Sequence, residues 1–213
     1  MTLPFGALMT ESLPLSGAKI ALLAGPLYED IEIHYPKIRL EEEGAEVIVV
    51  GYDESAYKNL FWSLALASKG RSTVPGFDGR VYTGVHGMPI PADIIVEDLD
   101  PNTIDAIVIP GGYAADHLRR SSAIIEFCKS VASSGRPVAA ICHGPWVLAT
   151  AGLLRGRRVT GHFVIRPDVE GAGAIWVDEP CVVDGPIVTS RFPNDLGPFC
   201  KTIVSMVVKQ LRV

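Results

Sequence analysis

The sequence predicts an α/β domain, a mostly parallel sheet covered by helices, and three observations carry that prediction. A strand-helix-strand pattern fills residues 19–51. Two more short apolar runs, IDAIVIP (104–110) and PVAAI (137–141), each lead through a turn into a helical period, and the chain closes on a long apolar-periodic run at 196–211. Strands buried on both faces read as unbroken apolar runs, whereas a half-exposed antiparallel strand alternates.

In chain order, KIALLAG (19–25) is a buried strand with a turn signal behind it. Over 30–43, Ile31, Tyr35, Ile38 and Leu40 predict a helical face, broken by Pro36 near the first turns and closed by Gly44. AEVIVVG (45–51) is the next strand. Residues 52–78 combine a helix-like middle with Gly- and Pro-rich flanks and are expected to be an insertion, followed by a hairpin over 79–91. The strand at 104–110 ends in Gly111-Gly112. A helix over 121–134 places Ile124, Ile125, Phe127, Cys128 and Val131 on its apolar side and stops at Gly135. The strand at 137–141 is so short and apolar that it belongs at the sheet centre, and a helical run over 146–154 follows it. Further strands are expected at 158–161, 174–177 and 182–189. The organisation is an N-terminal arm (1–17) and one domain (18–213) carrying an insertion at 52–78.

Composition narrows the function classes. With 48% hydrophobic residues over 213 positions the chain can bury a core of its own. Its 19 Lys and Arg against 24 Asp and Glu give a net charge of -5 with no basic stripe, which argues against binding nucleic acid or an anionic membrane. No apolar run approaches the roughly eighteen residues that span a bilayer. No Lys or Arg precedes Lys19, so a secretory n-region is missing and the expected location is the cytoplasm. Cys128, Cys142, Cys181 and Cys200 lie far apart without a C-x-x-C pair, which argues against a zinc site or a disulfide scaffold.

One cysteine has unusual neighbours. Ala140-Ile141-Cys142-His143-Gly144 places Cys142 on a sharp strand-to-helix turn, the mechanical idea of a nucleophile elbow. Backbone N–H groups at a helix start are expected to lower the thiol pKa there. His143 is a candidate base, although consecutive residues point in different directions and need not share a hydrogen bond. The turn's own amide and one from Gly111-Gly112 are candidate oxyanion donors. Glu29, at the end of the first strand, comes within reach of Cys142 if the two strands are neighbours, and a carboxyl group there can hold or deliver a proton.

Four segments, AICHGPWVLATAGLLRGRRVTG (140–161), YEDIEIHYP (28–36), IPGGYAADHLR (109–119) and VVDGPIVTSRFPNDLGPFC (182–200), together resemble the PfpI intracellular protease and general-stress-protein branch of the Parkinsonism-associated deglycase (ThiJ/PfpI) superfamily. The resemblance runs from Lys19 onward. It implies a flavodoxin-like three-layer sandwich of the class I glutamine amidotransferase type, with no metal and no organic cofactor. By that resemblance Cys142 is the nucleophile, Glu29 the carboxylic acid on its sulfur, His143 the histidine after it, and Gly112 with the His143 amide the oxyanion hole. Asp116 takes the position of an acid supplied by a neighbouring subunit, so a homo-oligomer, a dimer or a dimer-based hexamer, is implied. The implied activity is cofactor-free deglycase or glyoxalase-like chemistry on dicarbonyls or their protein adducts. A cysteine peptidase with a Cys-His-acid triad and a redox-sensing stress protein or chaperone are the alternatives. A glutamine amidotransferase would need a late H-x-E pair, which TSRFPNDL does not offer.

Overall fold

In the computed structural model, which describes residues 13–53, 77–78 and 80–212, twelve strands and six helices are laid out along the described chain. In order these are β1 (Lys19–Leu23), α1 (Asp30–Glu42), β2 (Glu46–Gly51), β3 (Phe77–Asp78), β4 (Val81–Thr83), β5 (Pro89–Pro91), β6 (Ile94–Ile95) and β7 (Ala106–Ile109). There follow α2 (Ala114–Leu118), α3 (Ser122–Ser133), β8 (Val138–Ile141), α4 (Pro145–Thr150), β9 (Arg158–Val159), α5 (Arg166–Gly171), β10 (Ile175–Trp176), β11 (Cys181–Asp184), β12 (Ile187–Ser190) and α6 (Leu196–Leu211).

The central sheet has the order β11-β12-β8-β7-β1-β2-β6 and is parallel throughout except for β11. β1, β7 and β8 lie in its middle, and apart from Lys19 at the start of β1 their side chains, among them Leu22, Ile107, Val108, Ala139 and Ile141, are fully buried. That is why their sequences do not alternate. α1 and α6 pack against each other, α1 on β2 and α6 on β12. α3 packs on β7 and β8, while α2, α3 and α5 all meet α4. The result is the flavodoxin-like three-layer sandwich. Among the described residues no helix is long and apolar enough to cross a membrane.

The structure corrects three details. Residues 182–189 are not one strand: β11 and β12 form an antiparallel hairpin that turns at Gly185, whose φ is +59°. β9 and β10 pair only with each other, outside the central sheet. α1 runs unbroken through Pro36 and, apart from Leu40, which is buried as expected, turns a different face inward: Asp30, Glu32, Ile33 and Pro36 are inside with it, while Ile31, Tyr35 and Ile38 are exposed. The cause lies at the helix start. Asp30 accepts hydrogen bonds from the amides of His86 and Met88, both at 2.8 Å, in the turn between β4 and β5, and this fixes the rotation of the helix. The expected insertion lies almost wholly outside the described residues, as do residues 1–12 of the arm; the hairpin over 79–91 is present as β4 and β5.

Candidate active site

β1 passes on to β2 on one side, whereas β7 is followed by β8 on the other, so the loops beyond their carboxyl ends diverge. Such a switch point opens a crevice where α/β folds place ligands. The two loops are tied across it by a bridge between Tyr28 and Gly112 and by Tyr113 N donating to Leu27 O at 2.9 Å. Cys142, the first residue after β8, sits beside them.

Cys142 has φ +59°, one of only two non-glycine residues in the left-handed region among those described. That conformation costs about 1–3 kcal/mol and persists where surroundings over-determine it. Here Cys142 N donates to Ser190 O at 3.0 Å, Cys142 O accepts from His162 N at 2.8 Å, and Gly144 N closes the turn onto Ile141 O at 2.7 Å. The neighbours are small of necessity. A Cβ on Gly144 would lie 2.8 Å from the carbonyl oxygens of Ile109 and Ile141, and one on Gly111 would lie 2.5 Å from Cys142 Cβ.

Four groups converge on the sulfur. His143 Nδ1 lies 3.1 Å from Cys142 Sγ, the amides of Gly112 and His143 donate to it, and the Glu32 carboxyl interacts with it from α1. Glu32 Oε2 accepts from Gly111 N at 2.8 Å, while Oε1 is buried without a hydrogen-bond partner. Burial pushes the Glu32 pKa up to about 8, against the pull of the Gly111 amide, so the carboxyl is mainly neutral at pH 7. A neutral group avoids burying an ionised carboxylate with one oxygen unpaired. The expected lowering of the Cys142 pKa is overturned: burial, and next the Glu32 charge, push the thiol up, and the two amides only partly offset this. His143 is held below the usual histidine range by burial and by His162, and is therefore neutral at pH 7.

Two further expectations change. The acid facing the thiol is Glu32, one helical turn beyond Glu29, whose own Oε1 lies 3.3 Å from His86 Nε2 at the rim. Glu29 is the residue before α1, outside the buried face that carries Glu32. His143 also does share a contact with its neighbour Cys142. The left-handed turn at Cys142 belongs to neither strand nor helix, so the alternation that separates consecutive side chains does not apply. Asp116 lies on α2 and pairs with Arg120 of the following turn, its side chain 40% exposed. The amides of Gly112 and His143, the expected oxyanion donors, both point at the Cys142 sulfur.

His162 and Trp146 were not foreseen. His162 stacks on His143 with ring centroids 4.9 Å apart, and Trp146 meets His143 edge-on at 5.2 Å. Gly112, Tyr113, His143 and Trp146 line a cleft of about 240 Å³ over the site. Trp146 is held by its Nε1 donating to Asp168 at 2.9 Å, with Arg119 over its ring. No group of three or more His, Cys, Asp and Glu side chains among the described residues could hold a metal ion.

Comparison with known proteins agrees with this architecture. A deglycase of Pyrococcus abyssi is 36% identical over 89% of this chain and 99% of its own length. The deglycase PfpI of Pyrococcus furiosus is 34% identical over the same shares. Among solved structures, a two-domain protein of Anabaena variabilis with DJ-1/ThiJ/PfpI-like and ferritin-like domains superposes with a TM-score of 0.75 at 35% identity, covering 88% of this chain and 47% of that one. The model of the DJ-1/PfpI family matches residues 18–206, and the chain belongs to that family.

Proposed function

We propose that this protein is a cysteine-dependent, cofactor-free deglycase that splits the adducts formed by dicarbonyls on amines, releasing the amine and a 2-hydroxy acid. The observation that carries this reading is the convergence on one sulfur of a neutral imidazole, two backbone N–H groups and a neutral carboxyl. In such an adduct the former aldehyde carbon carries a hydroxyl and the amine. Cys142 Sγ, giving its proton to His143, bonds to that carbon as the C–N bond breaks, and the amine leaves with the proton from His143, so that a hemithioacetal remains whose hydroxyl the Gly112 and His143 amides hold. A proton then moves from the sulfur-bearing carbon to its neighbour, giving a 2-hydroxyacyl thioester, and water cleaves the C–S bond to restore the thiol. Glu32, neutral at pH 7 and next to the sulfur, is the group placed to exchange protons in these steps. The names of the Pyrococcus relatives support the class of reaction.

Proteolysis is the second reading, favoured by the Cys142–His143 contact. It is the weaker one because none of the described carboxylates hydrogen-bonds the His143 ring, and amides demand a well-oriented base. The test is an NMR assay of lactate and free amine released from a methylglyoxal-treated peptide, run beside methylglyoxal and casein. Wild type should release both products and Cys142→Ser neither. Equal release by the two proteins refutes the reading, and casein cleavage without lactate selects the peptidase.

A further inference from the structure

Beside the Cys142 cleft lies a second, larger cavity of about 520 Å³, walled by Phe163, Trp176 and Phe192 and by Arg166, Arg191 and Asp178. It is joined to the site by a stack of rings: His143 on His162 at 4.9 Å, then His162 on Phe163 at 4.5 Å. Gly161, also in the cavity wall, would place a Cβ 3.1 Å from Cys142 O, so the cavity backs directly onto the elbow.

Its two arginines are not equivalent. Arg191 is tied on three sides, Nε and Nη2 donating to Asp195 and Nη1 to Asp178. Arg166 has one bond of this kind, Nε to Glu170 at 3.0 Å, with its side chain 55% exposed. Such a half-exposed pair is weak. Both Nη groups of Arg166 keep the planar donor geometry that suits a carboxylate. The three aromatic walls suit a flat apolar group.

We propose that this cavity binds the part of the substrate that does not react: a flat acyl or aryl group bearing a carboxylate, with Arg166 as its counter-ion. The substrate then spans both spaces, its carbonyl carbon at Cys142 and its anion at Arg166, so adducts of small carboxylate-bearing amines are used better than neutral ones. This deepens the deglycase reading, but the binding site is testable without turnover.

Calorimetric titration of the full-length protein with hippurate and with its neutral amide tests it. Hippurate should bind at least tenfold more tightly than the amide, Arg166→Met should erase that difference, and Arg166→Lys should keep most of it. In a second arm, the methylglyoxal adducts of N-benzoylarginine and N-benzoylargininamide are compared as substrates. Wild type should favour the carboxylate through KM, and Arg166→Met should lose the preference. Equal affinity for hippurate and its amide, or an Arg166→Met variant that binds hippurate like wild type, overturns the cavity proposal. Absence of turnover with normal hippurate binding overturns the deglycase reading and leaves the binding site standing.

Discussion

Glu32→Gln is the substitution that most directly probes the site. Burial drives the pKa of this carboxyl from its ordinary 4.5 to about 8, so the folded state holds its proton more tightly than the unfolded state does. Its contribution to stability is therefore full below about pH 4.5 and is lost as pH rises towards 8, with a slope of about 1.4 kcal/mol per unit. Between pH 5 and 8 that amounts to about 3 to 4 kcal/mol, a large part of the roughly 5–15 kcal/mol by which a domain is stable. His143 and His162 have the opposite sign. Burial lowers both, so their contribution is present above the ordinary 6.5 and is lost as pH falls through their folded values. They are unchanged in the variant and cancel on subtraction. Glutamine can still accept from Gly111 N and fills the same space.

Urea unfolding of Cys142→Ser and of Cys142→Ser/Glu32→Gln at pH 5, 6.5 and 8 measures the effect, the serine keeping the coupled thiol out of the titration. The Gln variant should gain on its parent by about 3 to 4 kcal/mol across that range. Curves that stay parallel to within about half a kcal/mol would show that Glu32 is ionised in the folded protein, and the neutral acid would leave the mechanism.

Glu29→Gln should shift the pH profile of Cys142 alkylation less than Glu32→Gln does, because Glu32 interacts with the sulfur directly whereas Glu29 acts on it only through its charge on Glu32; an equal shift in both would restore a direct role for Glu29. Gly111→Ala should cost about 1–3 kcal/mol and most of the activity, since its Cβ would lie 2.9 Å from Cys142 Sγ and 2.7 Å from Glu32 Oε2; normal kinetics would show that the site adapts. Mild peroxide should modify Cys142 before Cys128, Cys181 and Cys200 by peptide mass spectrometry. Burial raises all four, but only Cys142 has an imidazole nitrogen, His143 Nδ1 at 3.1 Å, in place to take its proton, and preferential oxidation of the more exposed Cys181 would show that access alone decides. Co-expressed Cys142→Ser and Asp116→Ala should regain activity as mixed oligomers if Asp116 completes a neighbour's site; full activity of Asp116→Ala alone reduces it to the partner of Arg120.

The layered fold was legible because parallel strands must be covered on both sides, which writes itself as unbroken apolar runs at Ile107–Val108 and Val138–Ile141. The elbow was legible because a strand this short running into Cys-His-Gly-Pro leaves little else for the turn to do. Periodicity misled at α1. The stripe of Ile31, Tyr35 and Ile38 has good helical spacing, yet the helix turns it outward. The face that is buried, Ile33 and Pro36 with Leu40, the one residue it shares with the expected face, is equally well spaced but contains Glu32 and Asp30, which a hydrophobicity argument assigns to solvent.

That error and the misplaced acid have one cause. A helix whose buried face carries a carboxylate costs stability unless its partners lie elsewhere in the fold, and here they are the Gly111 amide after β7 and the thiol after β8. Glu32 and Gly111 are 79 positions apart, and only the sheet order that places β7 between β1 and β8 brings these groups together. Glu29 satisfied every local criterion, an acidic residue at a helix start after a strand, and the dipole alone accounts for that. Local rules find groups that local physics stabilises. The acid at this site is destabilised where it stands, as the rise in its pKa records, and such strain points to chemistry only when the distant partners are known.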